Sequence, residues 1–135
     1  MKKKKQPTRK TLKRKLDDIF SLYIRLRDGG ICYTCGIRGE PKKMDAGHYI
    51  KRQYDALRFD ERNVHCQCRK CNRFMGGNMD EYAVRLIKQY GEQILIEFDR
   101  KKREIKQFGI EELQKMIEHY RNQIKKLQNE ISKCN

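Results

Sequence analysis

Two short cysteine pairs constrain this chain more than any other feature: Cys32-Tyr33-Thr34-Cys35 and Cys68-Arg69-Lys70-Cys71. A two-residue spacer lets two thiolates reach one tetrahedral ion. Two such pairs complete a four-sulfur shell with no open position, so the predicted ion is a structural Zn2+. The long loop between the pairs makes that ion tie together segments distant in the sequence. With 135 residues, 37% of them apolar and 38% charged, the chain has a modest core. A zinc site supplies folding free energy on the order of 10 kcal/mol in such a chain. The rival reading is a pair of disulfides or free thiols. Cys66 and Cys134 stand outside the pairs; the first reads as a small buried side chain and the second as part of a terminal helix.

The cysteines take their meaning from the compartment. No run of about 18 apolar residues is present, and no apolar stretch follows the basic N-terminus as a secretory signal requires. Both point to a reducing, intracellular setting, where paired cysteines bind metal. The formal net charge is +15, and residues 1–15 carry nine Lys or Arg and no acid. Such a charge favours a nucleic-acid partner, and a basic arm neutralises phosphates even when it is only a solvated tail.

The hydrophobic pattern divides the chain into a basic tail (1–10), a zinc-stapled domain with flanking helices (11–91) and a C-terminal helical extension (92–135). Leu12, Leu16, Ile19, Phe20, Tyr23 and Ile24 recur on one helical face, and Gly29-Gly30 ends that helix. Two short strands are predicted near 44–49 and 64–67, then a short helix from Arg69. Asn78 and Glu81 have the spacing of a capping box for a helix ending at Gly91, and another helix is predicted over 92–106. Ile110, Leu113, Ile117, Tyr120, Ile124, Leu127, Ile131 and Cys134 alternate by three and four. That seam suits either a coiled coil between two copies or a helix packed on its own domain. The fold class is α+β, with a small ββα-metal core between N- and C-terminal helices.

His48, Asn63, His65 and Asn72 lie between or just after the cysteine pairs. A strand bearing a His, a second strand, and a helix bearing a metal ligand are the parts of a ββα-metal nuclease site. Its chemistry needs a neutral imidazole to take a proton from water and a cation to stabilise charge on the phosphate. The candidate catalytic set is His48, Asn63 and Asn72, with Asn63 best suited to holding the loop between the strands. Asn72, Asp45 and His65 are candidate ligands of a second, catalytic metal. Position 47, directly before His48, is a glycine that offers no ligand. Asp45, the nearest acid, falls on the opposite strand face from His48 unless the strand bulges.

The run Asn63-Val64-His65-Cys66-Gln67-Cys68-Arg69-Lys70-Cys71-Asn72 resembles the HNH pattern. Together with Tyr23-Ile24-Arg25-Leu26-Arg27-Asp28, Cys32-x2-Cys35-Gly36, Ala46-Gly47-His48-Tyr49, Arg58-Phe59-Asp60, Gly77-Asn78 and Tyr90-Gly91, it is similar to the phage recombination protein family NinG (Rap) over about residues 12–91. The resemblance implies a His-Me finger (HNH-like) endonuclease acting on Holliday junctions and D-loops, in the cytoplasm of a bacterial host. The cysteine and Asn72 arrangement is also similar to phage recombination endonuclease VII. That similarity implies His48 as general base and Asn72 as a ligand of a catalytic Mg2+ or Mn2+. Ten bases and five acids interleave over residues 38–73. Lys51, Arg52, Arg58, Arg62 and Arg73 are the candidate DNA contacts; they suit positioning on phosphates rather than base reading. A junction-binding zinc module without catalysis is the alternative.

Overall fold

The computed structural model describes residues 5–134. Helix α1 spans Arg9–Arg27 and starts in a reciprocal cap: the Thr11 amide donates to the Thr8 hydroxyl at 3.2 Å, and the Thr8 amide donates to Thr11 Oγ1 at 3.0 Å. Leu12, Leu16, Phe20 and Ile24 form its buried stripe. The helix stops at Asp28, where Gly29 and Gly30 take left-handed backbone conformations (φ 63° and 70°). Gly30 is irreplaceable sterically as well, since a Cβ there would meet the Gly39 carbonyl oxygen at 2.1 Å.

Strands β1 (Asp45–His48) and β2 (Val64–Gln67) pair antiparallel, with Ala46 opposite Cys66 and His48 opposite Val64. The fold is thus α+β, with one two-stranded sheet among the described residues. A one-turn helix α2 (Asp55–Arg58) lies in the connection between the strands. The helix expected from Arg69 is instead a single wide π-type turn over Lys70–Phe74. Cys68 and Cys71 both point into the sulfur cluster, and Gly77 donates its amide to the Cys71 carbonyl at 2.9 Å, closing the turn early.

Helix α3 (Met79–Tyr90) begins where expected, but without the expected cap. Asn78 is left-handed (φ 50°) and its side chain makes no capping bond; its amide donates to Cys71 Sγ at 3.7 Å. Helix α4 (Gln93–Lys101) is shorter than the pattern suggested. Three and four residues after Phe98 stand Lys101 and Lys102, with no apolar side chain to continue the buried face, and Ile105 is fully exposed. Helix α5 spans Ile110–Lys133. Its seam residues Leu113, Ile117 and Tyr120 pack on α1 of the same chain, with Tyr120 edge-on to Phe20 at 5.0 Å between ring centroids. Ile131 and Cys134 remain exposed.

The core has three parts. The α1–α5 interface joins Phe59, Val64 and Phe108. Leu57, Tyr82, Leu86, Ile94 and Phe98 bind α3 and α4 to the loop between the strands. Cys32, Met44, Cys66 and Cys71 form the third part around the sulfur cluster. Cys66 is fully buried, as its sequence context suggested. No helix of the described residues is long and apolar enough to cross a membrane.

Candidate functional site

The four paired cysteines converge. Their sulfur atoms all lie within 4.8 Å of one another, and Cys35 Sγ is 3.8 Å from Cys68 Sγ. A tetrahedron with Zn–S bonds of about 2.3 Å has edges of roughly 3.8 Å, so the spacing fits a zinc ion. The donor set is all sulfur, which suits a structural ion such as zinc and leaves no position for catalysis. Burial opposes ionisation of the Cys32 thiol, but the Thr34 hydroxyl at 3.4 Å and neighbouring backbone amides outweigh it and lower the thiol to about 6. The Cys71 amide donates to Cys68 Sγ at 3.4 Å, and Asn78 serves Cys71 as above. The sulfurs therefore have a shell of N–H donors, which tunes and orients metal ligands.

On the α1 side of the sheet lies a cleft of about 380 Å3 lined by Asp17, Asp18, Phe20, Ser21, Ala46, His48, Lys51, Arg52 and Asn72. His48, at the end of β1, places its Nε2 2.9 Å from the Arg58 carbonyl oxygen. A carbonyl only accepts, so Nε2 carries the hydrogen and Nδ1 keeps the lone pair. Burial holds the imidazole below its ordinary pKa of 6.5, which keeps it neutral near neutral pH. Arg58 is itself fixed: its Nε donates to Asp17 Oδ1 at 2.9 Å, and its other nitrogen pairs with Asp17 Oδ2. Asp17 on α1 thereby braces the carbonyl that orients the histidine.

Asn72 reaches the same cleft from the wide turn. Its Nδ2 donates to Asp45 Oδ2 at 3.0 Å, so the amide oxygen is the free end. Asp45 itself turns into an adjoining polar groove of about 370 Å3, lined also by Ser21, Arg25, Lys42, Ala46, Arg69, Asn72 and Arg73. There Arg73 grips it through two nitrogens at 2.9 and 3.0 Å. The strand does not bulge, and Asp45 stays on the face opposite His48. Asp45 acts on the His48 cleft only through Asn72.

The other face of β1 explains the missing acid. A Cβ on Gly47 would stand 1.8 Å from Gln67 Oε1 and 3.1 Å from Asn72 Oδ1. Gln67 is fully buried, its amide nitrogen donating to Thr34 Oγ1 at 3.1 Å and to the Gly77 carbonyl at 2.8 Å. Its Oε1 has no conventional donor and packs on the bare Gly47 Cα, a C–H···O contact. The volume that a carboxylate at position 47 would need is filled by Gln67.

His65 lies on that second face, away from His48. It stacks on Tyr33 with 3.7 Å between centroids, and its Nδ1 and Nε2 meet the Tyr82 and Tyr90 hydroxyls at 3.1 and 3.5 Å. Desolvation and the nearby Arg27 lower it to about 4. Both nitrogens are occupied, so the expected ligand role finds no support in its position. Asn63, also fully buried, accepts from the Ile50 amide at 2.8 Å and donates to the Ile50 and Leu57 carbonyls at 3.0 and 3.1 Å. It holds the loop that follows His48 and does not enter the cleft.

The five candidate DNA contacts separate in the same way. Lys51 and Arg52 line the His48 cleft, and Arg73 lines the adjoining groove. Arg58 is spent on Asp17, and Arg62 pairs with Glu97 at 2.7 Å and with Asp60, beside α4. Those two are internal braces. Sequence reasoning missed Asp17, Asp18 and Arg25. The signal for the first two was present: they are the first acids in the chain, after nine cations. Asp18 is exposed and makes no ion pair among the described residues.

The family model described as Bacteriophage Lambda NinG protein matches residues 1–130. The chain is 34% identical over 114 residues to Protein ninG of Escherichia phage lambda, covering 83% of this chain and 55% of that protein. It is 36% identical over 116 residues to Protein ninG of Salmonella phage P22, again covering 83% of this chain and 55% of that protein. For Protein ninG of Escherichia phage 933W the identity is 34% over 114 residues, with 83% and 56% covered. The chain thus spans about half the length of the curated relatives it matches. No solved structure matches it. A family model spanning nearly the whole chain, with relatives above one-third identity, places this protein in the phage NinG family.

Proposed function

We propose that this chain is a metal-dependent, HNH-like endonuclease that cuts branched DNA during phage recombination. The observation that carries the reading is the pairing of His48 and Asn72 in one cleft, with the His48 tautomer fixed by the Arg58 carbonyl. Nδ1 of His48 takes a proton from the water that attacks the phosphodiester. Lys51 and Arg52 at the cleft rim hold the strand by its phosphates. Asn72 and Asp18 both line this cleft, and an amide oxygen and a carboxylate are hard donors. Mg2+ and Mn2+ accept such sets, with water and substrate oxygens completing the shell. When bound there, the cation supplies stabilisation of charge on the phosphate and leaving oxygen. The His-Me finger likeness, a strand His and a turn Asn lining one cleft beside a four-cysteine cluster, supports the same reading.

The test is cleavage of a labelled four-way junction and a matched linear duplex, with Mg2+, Mn2+ or EDTA, by wild type, His48→Ala and Asp18→Asn. Expected are cation-dependent cuts in the junction, lost in a still-folded His48→Ala protein by a factor of about 100 or more. The acid limb of the rate profile should have its midpoint below pH 6.5, because burial lowers the His48 pKa and the neutral base survives to lower pH. A second reading, a zinc module that binds junctions without cutting, has its own observation: position 47 offers no ligand and Asp45 is held by Arg73. Tight junction binding with no cuts under either cation would establish that reading instead.

A further inference from the structure

Phe74 is 85% exposed, and Met75 beside it is 48% exposed. Few phenylalanines stand so far out of a folded chain, and the backbone that carries this one is firmly held. Three residues before it, Cys71 sits in the sulfur cluster. Two residues before it, Asn72 is tied to Asp45. Just after it, the Met75 amide donates to the Lys70 carbonyl at 2.9 Å, and the Gly77 amide donates to that of Cys71. The ring therefore projects from an anchored backbone rather than from a loose loop.

Its surroundings say what it meets. Arg69, Lys70 and Arg73 share its turn; Arg73 is paired with Asp45, and Arg69 and Lys70 make no ion pair among the described residues. Arg69 and Arg73 line the polar groove together with Arg25 and Lys42, and that groove shares Ser21, Ala46 and Asn72 with the His48 cleft. Phe74 directly follows Arg73, a lining residue of the polar groove, so a strand with its phosphates along that groove runs beside the turn that carries the ring. An aromatic face beside cations is the chemistry that receives a nucleobase, since every base has a stacking face and every nucleotide a phosphate. In continuous duplex the bases are already stacked and inserting a ring costs unstacking energy. At a branch the stack is already interrupted, and a wedge enters at little cost.

We propose that Phe74 is a stacking wedge that packs on a base left unstacked at a DNA branch point, and so discriminates branched from continuous DNA. The proposal rests on the DNA reading given above and deepens it. Arg69 and Lys70 hold the flanking phosphates while the ring supplies the preference.

The experiment measures binding of the full chain to a labelled four-way junction and to a matched linear duplex, without divalent cation so that nothing is cut. A 2-aminopurine at the branch reports stacking. Wild type, Phe74→Ala and Phe74→Trp are compared, with melting curves to verify that each is folded; an exposed position makes folding loss a minor concern. Phe74→Ala should weaken junction binding about tenfold or more and leave duplex binding within about twofold. It should also abolish the 2-aminopurine change, and Phe74→Trp should retain both. Equal loss on both DNAs, no loss on either, or equal wild-type affinity for the two would overturn the wedge while leaving DNA binding intact. Absence of any DNA binding by wild type would instead sink the DNA reading and the wedge with it. Phe74-dependent capture on anionic lipid vesicles, with no Phe74-dependent junction preference, would assign the ring to a membrane surface and likewise overturn the proposal.

Discussion

Gly47 shows how one side chain's absence can be structural. Gln67 occupies the space beside its Cα, so the two positions are a matched pair. Gly47→Ala forces the Gln67 amide off its bonds to Thr34 and Gly77, and overpacking of this kind costs about 1–3 kcal/mol. Urea denaturation of the single and double variants checks it: Gln67→Ala should be less harmful in the Gly47→Ala background than alone, because the clash it relieves exists only there. Equal costs in both backgrounds would mean that the two residues do not compete for this space. The same contact implies that Gly47→Asp, which restores an acid before the histidine, does not create a metal site without a change at position 67.

At the scale of elements, the sulfur cluster joins the Cys32–Cys35 loop to the end of β2, and the segment that carries His48 and Asn63, from β1 to the start of β2, lies between. Cys68→Ser should therefore release zinc and lower the melting temperature sharply; full zinc content and an unchanged melting curve would show that the remaining sulfurs suffice. The convergence of the four cysteines was legible in the sequence because C-x2-C spacing is a local property. Strand β2 and helix α1 were legible for the same reason, through periodicity and glycine stops. What was not legible depends on non-local packing. Asp17 and Asp18 enter the cleft only because α1 lies across the sheet, a contact absent from any window of sequence. Arg58 and Arg62 were expected at DNA, yet Asp17 and Glu97, 41 and 35 residues away, claim them. Asn78 has the spacing of a cap, but sulfur offers it a partner that the capping pattern does not anticipate.

In the whole molecule, α1 serves two surfaces at once. Its apolar stripe packs on α5, while Asp17, Asp18, Ser21 and Arg25 face the two grooves. A chain ending at residue 109 would expose Leu12, Leu16, Phe20 and Ile24 to water. Burying each such side chain is worth about 1.5–3 kcal/mol, so this truncated chain should lose cooperative unfolding by circular dichroism even with zinc present; a sharp melt near the full-length temperature would refute that. The position of α1 also affects how deletion maps of this protein are to be interpreted. Residues of α5 line neither groove at the sheet, yet cutting them away would silence whatever those grooves do. A series of shortened chains would thus draw the boundary of the working region dozens of residues too far toward the C-terminus, and only point substitutions on the polar side of α1 would locate it correctly.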